Sequence, residues 1–546
     1  MRAGALTLAL LIGAGFTTQV AWAQVQPFRQ TPARPATAAR QMNREPQTAP
    51  PENYEAHATR AFEAARGSEA TLYAFLRDMP KGADLHNHDV GAVYAESWVR
   101  WAAQSNLCVD SKTTTLSNAP CTTGQVLAKT ALSDPTLYRQ MLDAFSMRGA
   151  RHSGPDTFSA HDHFFDTFLK FFAAQDGHMG EIYAEVLEHA ADSHVQYVEL
   201  MTTPDEGAAI GLGSKLAWNN GLLPEQNFAA MHKSLMDGGL NDAVSRARKN
   251  LDTWEAQRDA TLGCRQADPQ LRQPACEVKS RYLYVALRAF TPEQVFAQLL
   301  LGFELAQKDK RVVGVNMAQA EDWLVPMRDF RLHMRMLDYL KQQYPDVHIT
   351  LHAGELAPGI VPPEGMRFHI REAILRGHAE RIGHGVDVLY EDDPNGLLAL
   401  MARRDILVEV CLTSNDGILG VRGKQHPLNA YLHAGVHVAL ATDDEGVSRS
   451  DMTREYVRAA HDQQIEYPML KRMARNSLEH SFLPGQSLWS DPRKFIPSHD
   501  CNPGSTVSPA CQKLITASEK AREEWKLEKA LADFEAKFKE EGKHSE

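Results

Sequence analysis

What most constrains this chain is a rhythm. Eight short β-rich apolar runs, residues 83–86, 195–201, 281–289, 312–317, 348–351, 381–386, 406–412 and 436–442, alternate with longer helical patterns such as 179–191, 292–308, 329–343, 367–378 and 395–403. That alternation predicts an α/β fold, a (β/α)8 barrel of parallel strands, rather than separate helical and sandwich domains. In such a barrel the functional residues belong at the carboxyl ends of the strands. Four patches fall there: His86-Asn87-His88, His352-Ala353-Gly354-Glu355, His384-Gly385 and Asp443-Asp444. Together they supply imidazole and carboxylate donors, a separate acid and a separate base, the parts needed for metal-assisted hydrolysis.

A plain barrel needs about 250 residues, and this chain has 546. The surplus is local. Residues 1–23 run from Met1-Arg2 through an apolar stretch to the small-residue exit Ala21-Trp22-Ala23, the pattern of a secretory signal. The chain is therefore expected to be periplasmic or secreted, with no stable membrane insertion after cleavage. Residues 24–80 read as a linker and a helical extension, a single helix over 54–79. The barrel is expected over 81–485, with insertions at about 101–130 and 247–280, and the tail 486–546 ends in a Lys/Glu-rich helix from about Ala517, expected to be a solvated surface helix. Six of the seven cysteines form local pairs, Cys108 with Cys121, Cys264 with Cys276 and Cys501 with Cys511. Export permits disulfides, and all three pairs are expected to be bridged. Cys411 sits in an apolar run and reads as a small buried residue. A net charge of −11 opposes a nucleic-acid polymer but leaves a small nucleoside open as partner.

The donors differ in what they can do. His86 and His88 are two apart on a strand end, so both imidazoles can approach one ion. His352 ends its run, and Glu355, three residues on, is turned from the metal toward substrate as a proton donor and acceptor. His384 lies between two glycines and can deprotonate or orient a water near neutral pH. Asp443 and Asp444 are adjacent, so they face opposite ways: one carboxylate can bind metal while the other reaches substrate.

These residues resemble the adenosine deaminase superfamily, in particular its exported adenosine deaminase-related growth factor branch. The resemblance runs through Lys81-Gly-Ala-Asp-Leu-His-Asn-His88, His352-Ala-Gly-Glu355, Arg381-Ile-Gly-His-Gly385, Ser414-Asn415, His426-Pro427, Thr442-Asp-Asp444 and Ala474-Arg-Asn-Ser477. It implies one zinc ion held by His86, His88, His352 and Asp443, with Glu355 as proton shuttle, His384 as base or electrostatic orienter, and Asp444 bonded to the purine. The reaction it implies is hydrolytic deamination of adenosine, and of deoxyadenosine, to inosine and ammonia. Substrate contacts are expected from His88, Gly91, Phe164, Phe165, Gln319 and Asp444, with His161 and His163 as gate or ribose contacts and Glu409 and Asn415 as support around the seventh strand end. A homodimer is plausible by the same resemblance. The cysteine cage of the other zinc deaminases is not in the sequence.

Two positions depart from the family pattern. Val90 stands where an Asp or Ser would hydrogen-bond, leaving Asp89 either to compensate or to face solvent. Gln319 stands where a glycine would leave room for the purine. Both keep open a deaminase of another aminopurine base or modified nucleoside. The long extension, cysteine-bearing insertions and tail keep open a secreted growth-factor-like binding protein.

Overall fold

Strands covered on both faces read as near-continuous apolar runs, which is how these eight stand out in the sequence. In the computed structural model, which describes residues 53–148, 150, 160–498, 501–502 and 507–539, they are β1 Gly82–His88, β2 Val195–Thr202, β3 Lys279–Leu287, β4 Val312–Ala318, β5 His348–Ala353, β6 Arg381–His384, β7 Leu407–Val410 and β8 His437–Leu440. The expected signal 1–23 and most of the linker lie outside the described residues. The strands pair in chain order and all in parallel. A bridge between Asn87 and Asp443 closes β1 on the far side of β8. There the Asp443 N–H donates to the His86 carbonyl at 2.8 Å and the His88 N–H donates to the Asp443 carbonyl at 3.2 Å. The closing bond of the barrel is thus made by the backbone of three expected site residues.

Several boundaries differ from the expectation for identifiable reasons. β7 ends at Val410 because Cys411 turns the chain into the helix Leu412–Leu419. The single helix over 54–79 is two, Tyr54–Ala65 and Glu69–Arg77, because Ser68 accepts the Thr71 N–H and starts the second afresh. All three cysteine pairs are bridged, with Cα separations of 5.3, 5.4 and 5.3 Å, and Cys411 is free and buried. Among the described residues no helix is long and apolar enough to cross a membrane.

The terminal helix, Glu519–Ala536, is not a solvated one. Its apolar residues Trp525, Leu527, Leu531 and Phe534 are buried, and so are Glu523, Glu524, Glu528 and Glu535. Charge alternation suggested solvent; the partners are instead on neighbouring segments. Arg475 grips Glu528 through two bonds of 2.7 Å, Lys471 reaches Glu535 at 2.6 Å, and Lys279 at the start of β3 reaches Glu519 at 2.6 Å. Buried carboxylates need such partners.

Inside the barrel, Arg381 of β6 is 1 % exposed and bridges two buried carboxylates, Glu199 of β2 and Glu409 of β7, each at 2.6 Å. Glu409 also accepts from Thr350 Oγ at 3.0 Å, and Glu199 from Tyr197 at 3.0 Å. Removing the guanidinium would leave two uncompensated charges. Arg381→Met is therefore expected to cost about 4 kcal/mol of stability, read as a lowered denaturant midpoint at unchanged slope. A shift under 1 kcal/mol would remove this network from the forces that hold the barrel.

Candidate metal centre and active site

At the carboxyl ends of β1, β5 and β8 the expected ligands converge. His86 Nε2 and His88 Nε2 each lie 3.1 Å from His352 Nε2. Asp443 Oδ1 is 3.5 Å from His86 Nε2 and 3.4 Å from His88 Nε2. His86, His352 and Asp443 are buried, and His88 is 17 % exposed at the mouth.

The other ring nitrogens decide what the converging ones carry. His86 Nδ1 donates to Glu409 Oε2 at 2.7 Å, and Arg381 together with this imidazole holds that carboxylate below its usual range despite burial. His352 Nδ1 donates at 3.0 Å to Asn316 Oδ1, an oxygen that also accepts the Met317 and His352 N–H groups. Both Nε2 atoms therefore present lone pairs to one another. Burial opposes charge on His86, but the carboxylates of Asp443 and Glu409 outweigh it and push its pKa up to about 10. Burial lowers His88 to about 4 and takes His352 well down, helped there by its histidine neighbours. The pocket thus favours one positive charge among its nitrogens. A proton can bridge only one pair of donors, whereas a divalent cation satisfies all four, so the residues fit a metal.

His384 stands beside this cluster, with a donor atom within 4.8 Å of those of His86, His352 and Asp443. A relay sets its proton. The Leu428 N–H donates to His426 Nδ1 at 3.1 Å, His426 Nε2 donates to Asn415 Oδ1 at 3.0 Å, and Asn415 Nδ2 donates to His384 Nδ1 at 3.0 Å. Each link fixes the next, which leaves His384 with its hydrogen on Nε2. Burial pushes its pKa down to about 3, so it stays neutral. Its Nε2 is buried without a hydrogen-bond partner, 4.0 Å from Asp443 Oδ2, and Ser414 Oγ holds that same oxygen at 2.6 Å.

Glu355 is 8 % exposed, with Oε1 3.7 Å from His384 Nδ1. Burial, then the negative charge of Asp443, pushes its pKa up to about 8. Its backbone N–H and that of Gly354 are held by Glu321, which also bonds His369. Asp444 is buried, its Oδ1 has no hydrogen-bond partner, and burial with the charge of Asp443 takes its pKa well up. A side chain added at Gly91 would come within 1.5 Å of Asp444 Oδ1, so the glycine is what lets this carboxyl stand there. Gly383 does the same for His86, whose Cε1 would lie 2.4 Å from an added Cβ. His384, Asp443 and Gln319 all have left-handed φ, at 67°, 60° and 85°. Such strain outside glycine gathers where a site needs side chains re-aimed.

The remaining expected residues are scattered around the mouth. Gln319 uses its Oε1 to accept the Ala289 N–H at 2.8 Å, and its carbonyl accepts from Arg288 Nε at 2.9 Å. Phe164 is 2 % exposed and packs in the core between Phe165 and Phe168, while Phe165 faces Trp323 and His161. His161 bonds Asp322 at 2.9 Å, and His163 bonds the Ser146 carbonyl at 3.0 Å. Asp89 does not face solvent: it is 7 % exposed and accepts the Val90 N–H at 2.7 Å. Sequence reasoning singled out Glu409 and Asn415 but not Asn316, Ser414 and Glu321 as partners of His352, Asp443 and the Glu355 backbone.

An eight-stranded parallel barrel with a histidine and aspartate cluster, able to hold a metal ion, at the carboxyl ends of its strands defines the class. Residues 153–488 match the adenosine deaminase family, and the chain belongs to it. An adenosine deaminase from Escherichia coli (strain SMS-3-5 / SECEC) is 37 % identical over 139 residues, 25 % of this chain and 38 % of that protein, so the chain spans well under half the length of this curated relative. An amidohydrolase from Burkhoderia ambifaria with bound Zn shares the fold with a TM-score of 0.51 at 17 % identity, over 85 % of this chain and 95 % of that one.

Proposed function

We propose that this chain is an exported, metal-dependent deaminase that hydrolyses the exocyclic amine of an aminopurine nucleoside, with adenosine as the first substrate. The observation that carries this reading is the convergence of His86, His88 and His352 Nε2 atoms with Asp443 Oδ1 beside two buried carboxyls, Glu355 and Asp444, whose pKa values burial raises.

His86, His88, His352 and Asp443 would hold one zinc ion in this centre. When bound, such an ion acidifies water to near neutral pH. The chain's own residues do the rest. His384 Nε2–H donates to the attacking water oxygen, and Asp443 Oδ2 faces it from the other side. His384 is therefore an orienter and not the base, since its Nε2 already bears hydrogen. Glu355, protonated below about pH 8, gives its proton to purine N1 as water oxygen bonds to C6. It then takes one water proton and passes it to the amine; ammonia leaves as the C6–N bond breaks, and the remaining hydroxyl proton returns to Glu355 as the product C6=O forms. Asp444 donates its proton to N7 and holds the ring in register. A positioned proton donor contributes about 10²–10⁴-fold.

The relay makes a separate prediction. Asn415→Asp places an acceptor against His384 Nδ1, draws the ring hydrogen there and strips it from Nε2. Turnover is expected to fall about 10²-fold with the metal retained, measured as kcat alongside metal content. An unchanged kcat would take the relay out of catalysis.

A second reading, a free base or modified nucleoside as substrate, is favoured by Val90 and by the commitment of the Gln319 side chain to Ala289. The test is amine release by the zinc-loaded protein: ammonia from adenosine, deoxyadenosine, adenine and guanosine, and methylamine from N6-methylated adenosine. Adenosine is expected to react fastest. Release from adenine alone moves the assignment to base deamination, and release from none defeats it.

A further inference from the structure

At the opposite end of the barrel a second histidine and aspartate cluster gathers from three separate segments. Asp405 follows the helix Pro394–Arg404 with a left-handed φ of 60°, His437 begins β8, and His480 ends the helix Tyr467–Glu479. His437 Nδ1 lies 3.0 Å from His480 Nε2 and 3.0 Å from Asp405 Oδ1. The nitrogen spacing matches the 3.1 Å between His86 and His352 in the centre above. The rings are 5.1 Å apart, as are those of His88 and His352, and are inclined by 69°.

Hydrogen bonding accounts for this arrangement only in part. His437 Nδ1 carries either a proton or a lone pair. With the proton it serves Asp405 and His480 only by sharing one hydrogen between them; with the lone pair it repels the Asp405 carboxylate. A cation satisfies all three donors at once. His437 is 10 % and Asp405 47 % exposed, and a cavity of about 850 Å³ lined by Asp405 and His480 opens beside them, so an ion can enter and keep an open coordination position. Lys341, Arg381, Arg404 and Lys520 in the lining are faced by Asp346, Glu380 and Glu479, and Arg381 is itself paired with Glu199 and Glu409.

We propose that Asp405, His437 and His480 form a second site, for a divalent cation of the zinc class, distinct from the centre at the carboxyl ends of the strands. Two imidazoles and a carboxylate select such ions over calcium or magnesium. The ion ties the entry to β7, the start of β8 and the end of the helix Tyr467–Glu479 together across the barrel floor. Binding to the folded chain alone then raises its melting temperature.

The test is the zinc content of the full-length protein after chelation, titration with zinc and gel filtration. Two ions per chain are expected for the wild type. Asp405→Asn, which keeps a residue that tolerates left-handed φ, and His480→Gln should each weaken one ion by more than about 10-fold, since even outer-sphere partners of a metal are worth that much. His352→Ala should retain one ion, and the His352→Ala/Asp405→Asn double variant none. That pair separates the two centres: failure of the carboxyl-end centre leaves the Asp405-dependent ion intact. One ion in the wild type that Asp405→Asn and His480→Gln leave in place overturns the proposal, and so do two ions that persist in both variants.

Discussion

Glu355→Gln is expected to keep every metal ion the wild type binds while kcat falls about 10³-fold, roughly 4 kcal/mol of transition-state stabilisation. The two effects separate because the Glu355 carboxylate is not among the donor atoms that converge on the ion, whereas it is the group whose proton the ring nitrogen needs. Glutamine keeps the shape and the backbone N–H that Glu321 holds, but has no proton to give. The pH profile carries the same signature. Burial and the charge of Asp443 raise the pKa of Glu355 to about 8, so the donor form is present below that value and is lost as pH rises through it. A bound cation pulls the pKa down. The wild-type kcat should therefore fall on the alkaline side with a midpoint at or below about 8, and the residual rate of Glu355→Gln should lack that limb. A variant with full metal content and a near-wild-type rate removes Glu355 from its role.

His352→Ala is expected to act on the metal itself. His352 Nε2 is the atom both other imidazoles approach, at 3.1 Å each. Without it the carboxyl-end centre retains two nitrogens and one carboxylate, and metal content should drop by one ion per chain. Turnover should fall by more than about 10⁴-fold, since the ion's acidification of water goes with it. Elemental analysis and ammonia release on the same sample check both. A variant that keeps its full complement of ions, or turns over without the missing one, contradicts the assignment of His352 as a ligand.

The barrel was legible because parallel strands buried on both faces cannot hide their apolar runs, and because the four patches sat at the ends of those runs. The gathering of the four patches at one rim followed from that placement; the choice of His86, His88, His352 and Asp443 among their residues followed from the family resemblance. Their partners did not follow. Asn316, Ser414 and Glu321 hold His352, Asp443 and the Glu355 backbone across strand ends and loops, and only the strand register sets those distances. Glu409 and Asn415 were noticed for their position beside β7, yet the proton each one fixes, on His86 and on His384, depends on atoms up to 323 residues away. The terminal helix misled for the opposite reason. Its glutamates look solvated in sequence because Arg475, Lys471 and Lys279 lie far from them along the chain and meet them only on the folded barrel. The cluster of Asp405, His437 and His480 is invisible for the same reason: three unremarkable surface-type residues meet only because β7 and β8 start, and the helices Pro394–Arg404 and Tyr467–Glu479 end, at one floor.

The account's central claim is that water, placed by these residues, replaces the amine of an aminopurine. Its most direct measurement is turnover of adenosine by the zinc-loaded protein in ¹⁸O-labelled water, with ammonia assayed and the product oxygen weighed by mass spectrometry. One labelled oxygen in the product for each ammonia released is the predicted result. Absence of ammonia from every aminopurine offered, or ammonia released without label in the product, would contradict it.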